Sequence, residues 1–308
     1  MNQTAKKPKK RLFGRKDKSD VYLSDRPPLS TAGIIGLIIT YVLLISWAVV
    51  VIWPLFQMVK SAFNETQFQY ITSGQRFEFG LKHFKALFEE TNYLKWVWNT
   101  IWIALVTMGL TVLFVSFTGY AYSRFRFRGK KFSLMGLMLI QTIPTFVGIT
   151  AYYAMHQIIS GPVPFFTRQM MLVLIYAGGG IAGNTFILKN YMDSVSTDLD
   201  DAAKIDGCSY MQTYRLIIMP IVRPMLAIIA LWSFMAPFTD VLLPTVLLTK
   251  NQDLTLAAGL RTLISDMRTL NQPAYAAGGL LIAVPIVVMF MLLQKQLIGG
   301  LASGSVKG

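Results

Sequence analysis

Cysteine is nearly absent from this sequence. Cys208 stands alone among 308 residues, so no intramolecular disulfide can form and no cysteine cluster can hold a metal. Histidine is almost as scarce, with only His83 and His156, which argues against a His-rich metal site. Charge is also in short supply: Asp, Glu, Lys and Arg make up 14% of the chain, against roughly 25% in soluble domains. Acidic residues are the rarer kind, 15 against 29 basic ones. The remainder is apolar, with 54% hydrophobic residues and a mean hydropathy of +0.49. This composition excludes a disordered chain, a disulfide-rich secreted module and a collagen-like fibre. It is the composition of a polytopic membrane protein.

The charges leave six long gaps. Residues 27–59, 96–123, 132–167, 169–188 and 269–294 contain no charge, and residues 224–249 contain only Asp240. A helix needs about 20 apolar residues to cross the hydrocarbon core. In lipid the backbone must satisfy its own hydrogen bonds, so these segments are expected to be helices. Trimmed at helix breakers, the gaps predict an all-α chain of six transmembrane helices over about 31–56, 96–121, 133–158, 168–189, 224–247 and 275–297. The Gly161-Pro162-Val163-Pro164 run closes the third. Before them lies a basic tail, 1–30, whose apolar continuation is too long for a signal-peptide core, so span one is expected to be a retained anchor. The six spans make one domain over 31–298, and after it lies a glycine- and serine-rich tail, 299–308.

Lys and Arg are not shared equally between alternate connections. One side carries 20 of them, the other nine. The positive-inside rule therefore predicts both termini in the cytoplasm. The basic clusters at Lys6–Arg11 and Arg124–Lys131 abut spans, where anionic headgroups attract them. This location accounts for the high pI without nucleic-acid binding.

The connection over 190–222 is too long for a turn and carries helix signals of its own. Ser196 or Thr197 can cap a start, and Asp198, Asp200 and Asp201 occupy the first turn, where the helix dipole favours negative charge. Gly207 is placed to end that helix. Leu199, Ala202, Ala203 and Asp206 fall on one face, and the small alanines allow another protein to approach closely. This loop resembles the EAA signature of bacterial ABC importer permeases: Glu-Ala-Ala, three residues, Gly, nine residues, Ile, one residue, Leu-Pro. Asp201-Ala202-Ala203, Gly207, Ile217 and Met219-Pro220 keep that spacing, with Asp replacing Glu and Met replacing Leu. Ser196 stands where the family often has proline.

The resemblance covers most of 31–308. Asn99-Thr100, the run Tyr120-Ala121-Tyr122-Ser123-Arg124-Phe125-Arg126-Phe127-Arg128-Gly129, Ala203–Gly207, Tyr275–Gly278 and Gly300–Gly308 are all similar to carbohydrate importer permeases, nearest to the MalG-type maltose/maltodextrin subfamily. It implies a MetI-like permease core in the bacterial plasma membrane, importing an oligosaccharide by alternating access. Maltodextrin leads, with raffinose- or galactan-type sugars as alternatives. It also implies a second homologous permease subunit, two cytoplasmic ABC ATPases that bind ATP and Mg, and an extracellular solute-binding protein. The coupling residues would be Asp201, Ala202, Ala203, Gly207, Ile217 and Pro220. The chain itself is expected to hold no cofactor and to catalyse no covalent reaction. No Walker A pattern, paired carboxylates, nucleophile elbow or His-Glu-x-x-His motif occurs in it.

For the pathway, Gln141 in span three and Asn184 in span four are polar, and Tyr152 and Trp232 offer aromatic faces of the kind that bind sugars. Gly179 and Gly183 form a small-xxx-small pair suited to helix packing. Asp240 is the one charge within a span, so it is expected to face protein or water. The outer connection 249–274 is long enough to meet the binding protein, and tail 299–308 is expected to reach the ATPases. An ion-coupled secondary transporter is the competing class, but it would need more intramembrane ionisable groups than Asp240.

Overall fold

The computed structural model describes residues 31–66, 76–268 and 270–304, with side chains described through Leu297. Segment 1–30 and the last four residues of the expected C-terminal tail lie outside them. The chain divides after Phe56 into two compact units. The first holds most of α1 (Thr31–Ala62), apolar and exposed on every side along 31–56.

The second unit is built on four long helices, α3 (Tyr93–Arg124), α6 (Arg168–Asp193), α9 (Met219–Thr239) and α12 (Gln272–Gly304). Helix α3 packs on α6 and α9, and α12 packs on α9. Trp96, Ile103, Leu172, Phe234 and Phe238 fill the core near one end. Val115, Leu188, Met192, Tyr214, Ile218 and Ile229 fill it at the other. The short α2 (Lys82–Glu90) precedes α3.

Two expected spans are interrupted, each beside a proline. The third becomes α4 (Lys130–Thr142) and, after one 3-10 turn, α5 (Ile149–Ser160), with an 87° bend between the halves. Pro144 has no N–H to offer the Ile140 carbonyl, and its ring forces Ile143 into an extended conformation (ψ 116°). Among the described residues there are therefore five helices long and apolar enough to cross a membrane, or six if the bent pair counts as one. The fifth span ends at Thr239 instead of 247. Asp240 is extended there (ψ 123°), and the chain restarts as α10 (Leu242–Leu247). Pro244, four residues on, cannot donate to the Asp240 carbonyl, which favours a break there.

That same helix begins earlier than expected. It starts at α8 (Tyr210–Gln212) and passes through a π turn, Thr213–Ile218, into α9. Pro220 would clash with the Leu216 carbonyl in an uninterrupted α-helix, and the wider turn relieves that.

The outer connection also departs from expectation, because it contains α11 (Leu256–Ser265). Leu256 to Leu260 are buried, so half of this helix is core. At the C-terminus α12 runs on to Gly304, beyond the expected end at 297.

Candidate coupling loop and membrane cavity

The connection after α6 folds into a short helix, α7 (Asp198–Ile205). The Ser196 hydroxyl accepts from the Asp198 amide at 3.2 Å, supporting its start in place of proline. Its end is a Schellman motif: the Gly207 amide donates to the Lys204 carbonyl (3.0 Å) and the Cys208 amide to the Ala203 carbonyl (2.9 Å). Gly207 sits at φ +79°, a conformation that side-chain-bearing residues resist. The next helix starts at once with a capping box: Ser209 Oγ accepts from the Gln212 amide, and Gln212 Oε1 from the Ser209 amide (2.7 Å).

The two alanines of the motif part company. Ala203 is 1% exposed and packs inside its own chain, whereas Ala202 faces out. The outward face carries Leu199, Ala202 and Ile205, and Tyr210, Met211 and Leu216 are exposed just beyond it. Ile205 is 87% exposed. Asp201, Gly207 and Pro220 are exposed too, and Ile217 is half-buried. Asp201 pairs with Lys204 at 2.9 Å on the surface, and this hydrogen bond raises the Lys204 pKa.

Asp200, beside it, turns inward to meet Arg124, the last residue of α3. Arg124 Nε stands 2.9 Å from Asp200 Oδ2, with the two side chains only 7% and 10% exposed. Neither residue was singled out by sequence reasoning as a partner of the other. They lie 76 positions apart, and no local pattern joins them. The Ser209–Gln212 box was not singled out either, although its Ser-x-x-Gln spacing is a signal available in the sequence.

Of the pathway candidates, Gln141 and Tyr152 come together. Both line a cavity of about 630 Å³ formed by the α4–α5 bend and α6, with Pro144, Thr145, Gly178 and Gly179. That volume suits a small ligand. Gly183 lies under Gln141, where a Cβ would fall 2.8 Å from Nε2, and Gly180 lies under Thr111. Gly179 faces open space instead, so Gly180 and Gly183, not Gly179 and Gly183, are the close-approach positions.

The other candidates lie apart from that lining. Asn184 Nδ2 donates to Gly180 of its own helix (2.8 Å), and Trp232 is exposed. Asp240 is structural in placement: Oδ2 accepts from the Tyr176 hydroxyl (3.0 Å), and Oδ1 accepts from the Leu242 amide (2.9 Å) at the start of α10.

At the end opposite α7, the segment 249–256 is lashed to the helices beneath it. Asn99 Nδ2 donates to the Gln252 and Leu254 carbonyls, and Gln169 Nε2 to the Asp253 carbonyl. The Arg168 guanidinium donates to the Thr249 hydroxyl (2.6 Å) and lies over the Tyr153 ring. Beyond it the tip, 264–268, is exposed, with Met267 at 82%.

Residues 117–301, which contain this loop and the whole lining of the cavity, match the family described as "Binding-protein-dependent transport system inner membrane component". The chain belongs to that family. As an inner membrane component of this kind it is a multi-pass protein of the bacterial plasma membrane, and membership in a family of transport components agrees with a subunit that is not an enzyme. It is 43% identical over 282 residues to the maltodextrin transport system permease protein MdxG of Bacillus subtilis, covering 91% of this chain and 99% of that one. It is 38% identical to the galactooligosaccharides transport system permease protein GanQ of the same organism, covering 89% and 96%. Among solved structures, a chain of a bacterial ABC transporter involved in alginate import shares the fold, with a TM-score of 0.73 at 18% identity. That match covers 88% of this chain and 99% of the other.

Proposed function

We propose that this permease imports maltodextrin-type oligosaccharides by alternating access, driven by ATP hydrolysis in separate ATPase subunits that dock on α7. The carrying observation is the outward face of Leu199, Ala202 and Ile205 on a helix whose other side is fixed inside the chain. Exposed apolar side chains on a polar loop favour a protein partner. The excess of Lys and Arg in the connections on this side supports its placement in the cytoplasm, where ATP is available.

Two such subunits, this one and a homologous permease, would enclose the pathway, and two ATPases would bind ATP and Mg. A solute-binding protein would deliver sugar at the opposite end, near the exposed 264–268 tip. The Gln141–Tyr152 cavity contributes to the pathway with one amide for hydroxyls and one ring for a sugar face. The likeness to MdxG favours maltodextrin, and the likeness to GanQ makes a galactooligosaccharide the second reading.

The docking assignment is tested with Ile205→Asp and Ala202→Asp, each of which would bury an unpaired charge at the contact. Both variants should insert in the membrane and lose at least tenfold of ATPase co-purification and of maltotriose uptake. Undiminished ATPase retention in both would refute it.

A further inference from the structure

The end of α3 and the coupling loop are joined at several points, of which one is ionic and buried. Arg124 spends all three of its guanidinium nitrogens there. Nε pairs with Asp200 in the first turn of α7. Nη1 donates to the Met192 carbonyl (3.2 Å) at the end of α6, and Nη2 to the Val195 carbonyl (3.0 Å) in the linker from α6 to α7. One planar group therefore touches α3, α6, the linker and α7.

A guanidinium suits this because its donors are held in a rigid fork: the two Nη hydrogen bonds fix its plane, and Nε supplies the charge contact to Asp200. Its neighbour Ser123 extends the junction by donating to Asp193 Oδ1 (2.7 Å), whose other oxygen pairs with Lys189 at 2.6 Å. Next along, the Phe125 ring meets Tyr210 edge-on, and Tyr120 packs on Tyr214, whose hydroxyl donates to Ser116 Oγ (2.8 Å). These ring contacts hold the following helix to α3 but do not reach α7. Only the Arg124–Asp200 pair ties α7 itself to a long helix by a charged contact among the described residues.

We infer that Arg124 and Asp200 are positioning residues for energy coupling: the pair makes α7 move with α3 and α6, so that displacement of α7 by a partner is delivered to the spans. Neither side chain touches sugar or nucleotide. Without the pair, α7 would stay docked on its partner through Leu199, Ala202 and Ile205 while pivoting against its own chain. Work done on the loop would then be dissipated in the linker. This role rests on the permease reading above.

The test uses the complete transporter in proteoliposomes, with its binding protein and maltotriose as the probe sugar. The variants are Arg124→Gln, Arg124→Lys, Asp200→Asn and the double Arg124→Gln/Asp200→Asn. The sugar imported per ATP hydrolysed should fall at least fivefold in Arg124→Gln and Asp200→Asn, with assembly retained. Arg124→Lys should recover part of the ratio because it keeps the charge but not the fork. The double variant should lie within twofold of Arg124→Gln, since both changes break one joint.

Assembled variants with the wild-type ratio would overturn the inference. So would inserted variants that fail to assemble, because the pair would then be a folding contact. A second readout needs no transport: amide exchange over 198–207 in the purified chain should be at least fivefold faster in Arg124→Gln. Should the wild-type complex import no sugar, the permease reading fails, and unchanged exchange would separately defeat the joint.

Discussion

Trp96 occupies the space that a side chain at position 259 would need: a Cβ on Gly259 would fall 2.2 Å from the indole. The same indole donates from Nε1 to the Asn251 carbonyl at 2.7 Å. One residue thus seats α11 and pins the segment that leads into it. Gly259→Ala should push the indole aside, break that bond and cost about 1–3 kcal/mol as an overpacked core. A lowered thermal midpoint of the purified protein would show it. Gly109→Ala is the control: a Cβ there meets nothing within 4 Å, and the helix itself gains about 0.5–1 kcal/mol.

The Asp240 carboxylate does two jobs that can be separated. Tyr176→Phe removes one donor and leaves the start of α10 capped, so it should cost about 1.5–3 kcal/mol as a lost bond to a charged acceptor. Asp240→Ala removes both contacts and should lower the thermal midpoint further. Equal midpoints for the two variants would mean that the bonds to the α10 amides contribute nothing.

At Gly207 the backbone, not the surface, sets the cost. Alanine at φ +79° should destabilise the end of α7 by about 1–2 kcal/mol, and asparagine by less, because it tolerates that region better. ATPase co-purification should therefore rank glycine above asparagine above alanine. Ala203→Asp should behave differently from Ala202→Asp. The first introduces a charge inside the chain and lowers the yield of folded protein, and the second leaves the yield intact while blocking docking.

The outer connection yields a narrower experiment than its length suggested. Residues 254–260 are buried and 249–253 are tied down by Arg168, Trp96, Asn99 and Gln169, so the 264–268 tip is the exposed stretch without such anchors among the contacts described above. Deleting 265–268 should impair the stimulation of ATPase activity by the binding protein and leave basal activity unchanged. Unaltered stimulation would make the tip a plain connector.

The spans were legible because a missing charge over about 20 residues has one physical meaning in a membrane protein. A bend near Pro144 and a loosening around Asp240 were readable from the prolines, but not their size, since hydropathy carries no direction: 133–158 is apolar on both sides of an 87° bend. Pro144 and Pro244 were the available signals, and only their backbone consequences, at Ile143 and Asp240, mark where each helix stops. Helix α11 was missed because ten residues are too few for a span, and its buried half owes its helix to Trp96 and α12 as much as to its own sequence. In the loop, spacing located α7 and Gly207 correctly. It could not tell which alanine faced out, because two adjacent positions differ by 100° around a helix and the interior was unknown. Arg124 was visible as one of five basic residues near the membrane and as part of the Tyr120–Gly129 run, but its pairing with Asp200 depends on the tertiary fold.

The loop carries two ion pairs of equal length whose surroundings are opposite. Lys204–Asp201 is half exposed, with side chains 52% and 67% accessible at 2.9 Å, and dissolved ions reach it freely. Arg124–Asp200, at the same 2.9 Å, is shut away from them. A rise in ionic strength will therefore loosen the trim of the exposed turn and leave its attachment stiff. On the cytoplasmic side proposed above for this loop, a bacterium whose interior grows saltier under osmotic stress would keep this junction closed.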